Sequence, residues 1–302
     1  MTVPIHGFIS RLGQKSDTAV IIYIYKPHGG YGMRSQAFFS DLRDRGKVLV
    51  FGHRGMSQYY PENTMLSFSK CAENPRIDAI ELDVHVCRSG EVVIAHDFSL
   101  KRTANLDVEI EDLTLDELKE IDVGSFKDPS FSDARIPLLD DVLSAFAGRF
   151  IYDIELKVKA GKINRDLCRK VLHLIKSHHL QDRVLVSSFN PFALRAFRTE
   201  CLKSLIHIPT ADIFERSVYV PKILWNGAGH IVSRSTYQKP GISRIDDAFV
   251  KSHGRLPIMA WTVNSPSDAE RLLSYNKDEM HVFGLIGNDP DMLCDVVNRW
   301  VN

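Results

Sequence analysis

From Val48 onward, short apolar runs alternate with amphipathic stretches, and each apolar run stops at polar or ionisable residues. Brief apolar runs bounded by turn signals read as buried strands, and apolar positions three and four apart read as one-sided helices. On that basis strands are predicted over 48–52, 78–84, 150–155, 183–187, 203–208, 229–232, 257–262 and 282–286. Helix starts are well punctuated. Thr114-Leu115-Asp116-Glu117 carries the Thr-x-x-Glu capping pattern, and Asn190-Pro191, Ser265-Pro266 and Asp289-Pro290 each set a capping residue before a proline. Eight strands with intervening helices, and no internal repeat or low-complexity linker, predict an α/β fold, a (β/α)8 TIM barrel in one domain. An open doubly wound sheet is disfavoured, because the ionisable groups come from early, middle and late strands and such a sheet would spread them apart.

In one stretch the pattern becomes an alternation: Ile80-Glu81-Leu82-Asp83-Val84, then Ser89-Gly90, then Val93-Ile94-Ala95-His96-Asp97. Residues two apart on a strand share a face, so Glu81 and Asp83 point the same way. Ser-Gly between apolar runs predicts a hairpin. With residues 89 and 90 as a two-residue loop, Asp83 lies opposite His96, and the arm 91–95 is a small insertion after the second strand. A solvated sheet face is the alternative for this stretch alone. Two neighbours change the balance: the first strand ends in Gly52-His53-Arg54-Gly55, with Pro61-Glu62-Asn63-Thr64 after it, and the run Phe150–Ile154 ends in Glu155-Leu156-Lys157. Singly these read as a surface turn and an ion pair. Together, carboxylates, two histidines and two cations at strand ends favour metal-assisted phosphate chemistry.

These words, with Leu100-Lys101-Arg102-Thr103, Ser187-Ser188-Phe189 and Trp261-Thr262-Val263-Asn264, run in order to the C-terminus and resemble the glycerophosphodiester phosphodiesterase family. Two places depart from its pattern: Ile286-Gly287-Asn288-Asp289-Pro290, and the segment around Gly229-His230-Ile231-Val232. Barrel closure lets Glu81, Asp83 and Glu155 share one divalent cation, and the resemblance implies the same three ligands. Three carboxylates with no cysteine nearby favour Mg2+ or Ca2+ over Zn2+. Glu62 is a further candidate ligand, or else an acid at a helix start. Arg54, with Lys157 behind it, suits the non-bridging oxygens of a phosphodiester, since a guanidinium engages two oxygens at once. His53 and His96 are expected to divide the proton transfers, and the resemblance favours His53 as acid and His96 as base. The nucleophile is either the 2-hydroxyl of glycerol or water. Trp261 ends a strand and offers an apolar wall for glycerol carbons, with Phe189 in a similar position.

The implied reaction is hydrolysis of deacylated phospholipids, such as glycerophosphocholine, to sn-glycerol 3-phosphate and an alcohol. A lysophospholipase D or sphingomyelinase D-like activity is the second enzymatic reading. It requires an apolar rim, and the loop from Asp97 to Leu138 shows charge and turn residues instead. A non-catalytic phosphodiester-binding protein is the third reading, and the intact set of ionisable residues speaks against it.

Composition narrows the partners. Lys+Arg and Asp+Glu both number 38, which leaves no electrostatic case for nucleic acid or an anionic membrane. The five cysteines are scattered and odd in number, as in a reduced cytoplasmic protein. Ala19–Tyr25 is apolar but much shorter than the roughly 20 residues of a membrane span, so no span is predicted. Residues 1–32 are expected to be an appendage and 33–302 the barrel. Of the remaining histidines, His85 is expected to point to the face opposite Asp83, His230 to open a strand, and His173, His178 and His179 to belong to a helix and its end.

Overall fold

The computed structural model describes residues 34–216 and 222–301. The expected membrane-length shortfall at Ala19–Tyr25 and the appendage 1–32 lie outside them. Nine strands form one sheet: β1 Leu49–His53, β2 Ala79–Val86, β3 Val92–Ile94, β4 Ile151–Leu156, β5 Val184–Ser188, β6 Thr210–Phe214, β7 Tyr237–Pro240, β8 Ile258–Ala260 and β9 Val282–Gly287. All but β3 run parallel, in the order β1-β9-β8-β7-β6-β5-β4-β2, and β1 also pairs with β2. The sheet therefore closes, with helices between its strands, into the expected (β/α)8 barrel, and closure removes the exposed edges that an open sheet would carry. Antiparallel β3 stands outside the closed ring, paired to β2 on one side and bridged at Val93 to Leu138 on the other.

Helix starts follow the local signals. Thr114 forms the full capping box with Glu117, Asn190 caps Pro191–Lys203 and Ser265 caps Pro266–Leu273. Asp289 Oδ1 accepts from the Met292 amide at the start of Pro290–Val301. Each bond satisfies a backbone donor that the first helical turn leaves free.

Three expectations need correction. The run 203–208 is not a strand: it finishes the helix Pro191–Lys203 and turns at Leu205, where φ is 54°, leaving Leu202 and Leu205 largely exposed. Its apolar residues mimic a strand, while the true one, Thr210–Phe214, hides behind an acid at Asp212. Likewise 229–232 lies in the short helix Gly229–Ser233, and the strand that follows is Tyr237-Gln238-Lys239-Pro240, whose polar residues mask its burial. His230 is therefore helical, with its ring against the Gly227 carbonyl. The hairpin register is also shifted by one. Val84 pairs with Ile94 and Val86 with Val92, so the loop holds three residues, Gly90 takes φ 105°, and Asp83 accepts from the amide of Ala95, not of His96.

Inside the barrel the layers differ in chemistry. At the N-terminal end of the strands, Phe39 from the helix Arg34–Asp44 is buried against Tyr237 and Phe283 and closes the bottom with Leu49, Ala79 and Ile151. Toward the opposite end the same interior positions become His53, Glu81, Asp83, Asp153, Glu155, Ser187 and Lys239, all buried. An apolar plug below a charged layer directs the chemistry to the C-terminal mouth.

Candidate active site

Parallel register sets the carboxylates in rows. His53 aligns with Glu81 and Glu81 with Asp153, one row below Asp83 aligned with Glu155. Glu81, Asp83 and Glu155 offer one carboxylate oxygen each within 4.8 Å of one another, all buried. Glu155 lies 2.9 Å and Asp83 3.4 Å from the Lys157 ammonium. Burial alone would raise the pKa of Asp83, but Lys157, His96, Arg54 and a hydrogen bond from Asn63 hold it well below the usual carboxylate range. Asn63 Nδ2 donates to Asp83 Oδ2 at 2.8 Å, whereas Asp83 Oδ1 receives no hydrogen bond.

The β1 turn supplies the next layer. Arg54 takes a left-handed φ of 56°, which aims its amide at Glu81 Oε2, 3.2 Å away, and its guanidinium at Asp83, 3.5 Å away. Gly55 follows at φ 83°, and a Cβ there would come 2.2 Å from the Ser67 hydroxyl, so the turn needs glycine. Glu62 stands apart from the three-carboxylate cluster: it accepts from Arg54 at 3.0 Å and is clamped by both terminal nitrogens of Arg102 at 2.9 and 2.7 Å. These contacts pair Glu62 with two arginines, and the three carboxylates close enough to share an ion do not include it.

Both histidines have fixed rings. His53 Nδ1 lies 2.6 Å from Asn288 Oδ1, leaving Nε2 toward Glu81 at 3.9 Å. Burial lowers the pKa of His53, an effect that Glu81 opposes and Arg54 reinforces. His96, past the end of β3, lies 2.7 Å from Asp97, and Arg102 holds that aspartate at 2.7 Å through Nε. Despite the changed register, His96 still acts on the charge of Asp83. The expectation that His85 faces away from Asp83 is corrected: two residues further along β2 it shares that face and packs edge-on against Phe98, while burial pushes its pKa down to about 4 and the charges of Lys157 and Asp83 act on it in opposite directions.

Sequence reasoning missed Lys239. Its ammonium, 2 % exposed, sits 2.8 Å from Asp153 and 3.1 Å from Glu81, and Ser187 completes the group by donating to Asp153 at 2.6 Å. Burial alone would lower the pKa of Lys239, but Asp153, Glu81 and Glu155 raise it. Asn288, taken as a rim departure, is the partner of His53. Across the mouth, Trp261 and Phe189 meet edge to face at 5.6 Å, and the Trp261 indole N–H donates to the Lys239 carbonyl at 2.8 Å.

The donor set suits a hard divalent cation. In the linked network six carboxylates (Glu62, Glu81, Asp83, Asp97, Asp153, Glu155) face four fixed cations (Arg54, Arg102, Lys157, Lys239). The deficit of two charges is what one such ion carries, and oxygen donors are what Mg2+ and Ca2+ prefer.

This arrangement has relatives. The profile of the glycerophosphoryl diester phosphodiesterase family matches residues 53–292. The chain belongs to that family. A glycerophosphodiester phosphodiesterase of Caldanaerobacter subterraneus subsp. tengcongensis is 30% identical over 257 residues, which is 84% of this chain and 99% of the relative. A phosphodiesterase of Oleispira antarctica, solved with the product sn-glycerol-3-phosphate, superposes with a TM-score of 0.70 at 25% identity, over 83% of this chain and 96% of that one. Human lysophospholipase D GDPD1 is 31% identical over 183 residues, 58% of this chain and 54% of its own length. Membership makes the chain a phosphodiesterase with a (β/α)8 fold. Among its described residues, no helix is long and apolar enough to cross a membrane.

Proposed function

We propose that this phosphodiesterase hydrolyses glycerophosphodiesters to sn-glycerol 3-phosphate and an alcohol, with one Mg2+ or Ca2+ held by Glu81, Asp83 and Glu155. The observation that carries the reading is the meeting of that cluster with Arg54, Lys157 and two oriented histidines at one mouth. A bound divalent cation supplies Lewis-acid stabilisation of charge on the non-bridging oxygens. Arg54 and Lys157 add fixed positive charge on the same side, where burial strengthens it.

The histidines handle the protons. Each ring is anchored through Nδ1, by Asn288 or by Asp97, which leaves Nε2 free to exchange a proton with the nucleophile or the leaving alcohol. The family resemblance favours His53 as acid. Burial, by lowering its proton affinity, favours the neutral ring and hence the reverse order. Trp261 and Phe189 exclude water and pack against substrate carbons. The scattered buried thiols are consistent with a reduced, cytoplasmic setting for the described part of the chain.

The test is a panel of glycerophosphodiesters and lysophosphatidylcholine, assayed with and without chelator. Release of sn-glycerol 3-phosphate that stops on chelation and returns with Mg2+ or Ca2+ is expected. Preferential cleavage of the lysolipid would move the reading to lysophospholipase D.

A further inference from the structure

Around the mouth, β5 to β8 bring up residues that the proton and metal chemistry does not use. Phe189 continues the inward phase of Leu185 and Ser187, Glu215 that of Ala211 and Ile213, Gly241 that of Tyr237 and Lys239, and Trp261 that of Met259. Gly241 lies between the other strands' contributions. It bridges to Trp261 in parallel and donates its amide to the Phe214 carbonyl at 3.0 Å. A Cβ built on it would lie 3.2 Å from Glu215 Cβ and 3.5 Å from Glu215 Oε2. Its φ of −60° suits any residue, so what the absent side chain provides is room, and the Glu215 carboxylate occupies it.

Glu215 is half-buried and has no ion pair or hydrogen bond among the described residues, and desolvation raises its pKa. It contrasts with the catalytic carboxylates, each of which touches a lysine or arginine. Beside it stands an aromatic pair whose indole is fixed by its bond to the Lys239 carbonyl.

We propose that Phe189, Glu215, Gly241 and Trp261 form a subsite for a cationic alcohol, the ammonium end of an ethanolamine or choline group lying against the rings with Glu215 as its counter-charge. This rests on the glycerophosphodiester reading and says which diesters are preferred. A carboxylate beside aromatic faces is the chemistry that recognises ammonium ions. For a neutral polyol an amide would serve as well, and a second unpaired negative charge near an anionic phosphate would only oppose binding. A phosphodiester carries two organic groups, so the headgroup takes this wall and glycerol stays on the histidine side.

The experiment compares kcat/KM for glycerophosphocholine, glycerophosphoethanolamine and the uncharged-headgroup glycerophosphoglycerol in the wild type and in Glu215→Gln. Both cationic substrates should exceed the third by about tenfold or more in the wild type, and that ratio should fall to within about threefold in the variant. The choline-to-ethanolamine ratio tells which ammonium fits better. Wild-type ratios near one, or an equal loss on all three substrates, would overturn the subsite. Calorimetric binding of phosphocholine, about tenfold tighter to wild type than to Glu215→Gln, tests the subsite without turnover. If no diester is cleaved but this difference persists, the activity fails and the subsite stands; equal binding removes the subsite.

Discussion

Along β1, β2 and β4 the mouth holds carboxylates locked to cations, and each catalytic candidate has a stated partner. Along β5, β6, β7 and β8 it holds two rings, a glycine and an acid that no described residue pairs. The first half is preorganised: its charges are fixed before substrate arrives, so little reorganisation is needed when charge builds on phosphate. On the readings proposed above, a ligand's ammonium completes the second half, and reaction type belongs to one side of the barrel and choice of substrate to the other. Lys239 crosses between them, rooted in β7 and bonded to Asp153 and Glu81, and Ser187 of β5 joins it by donating to Asp153.

The largest effect should come from breaking the preorganised half. Glu81→Gln, Asp83→Asn or Glu155→Gln is expected to lower kcat/KM at least about a thousandfold, equivalent to about 4 kcal/mol, and to abolish Mg2+ or Ca2+ binding measured by calorimetry. Amides are the right replacements, since alanine would also strand the ammonium groups of Lys157 or Lys239. Unchanged metal binding in all three variants would remove the cluster as the metal site.

Cutting the link between the halves comes next. Lys239→Met leaves Asp153 and Glu81 without their buried cation, a loss worth about 3 to 5 kcal/mol, so the melting temperature should fall by on the order of 10 °C. A change below about 2 °C would mean that the barrel interior tolerates those carboxylates unpaired.

Proton transfer carries a smaller share. His53→Ala and His96→Ala should each reduce kcat about a hundredfold, with less effect on KM. A nitrophenyl phosphodiester, whose leaving group needs no proton, should rescue only the variant that lost the acid. Rescue of both alike would show that the two rings do not divide the work.

How legible these regions were in the sequence follows from the same contrast. Glu81, Asp83, Glu155, His53 and His96 lie in short words whose spacing on strands places them together without knowledge of the rest. Lys239 and Glu215 gave no such signal. Their strands, Thr210–Phe214 and Tyr237–Pro240, carry Asp212, Gln238, Lys239 and Pro240 where apolar residues are expected, so periodicity placed the strands on 203–208 and 229–232 instead. A lysine is buried in β7 only because two carboxylates from distant strands meet it, and that pairing is a tertiary fact. Similarly, the one-residue error in the hairpin arose because Ser-Gly suggested a two-residue loop where three residues turn.

The smallest effect is expected where neither half is touched. The helix Arg34–Asp44 closes the barrel bottom through Phe39, which is 1 % exposed and packs on Tyr237 and Phe283. A chain begun at Met33 keeps that helix, all nine strands and every candidate site residue. Removing residues 1–32 should thus leave kcat/KM within about twofold and the melting temperature within about 2 °C. Phe39→Ala provides the contrast: emptying this buried position costs about 3 to 5 kcal/mol and should lower the melting temperature by on the order of 10 °C without altering the ratio of kcat/KM between cationic and neutral diesters. A fall of more than about 5 °C on truncation alone would show that residues 1–32 add contacts to the barrel, and the boundary at 32/33 would have to move.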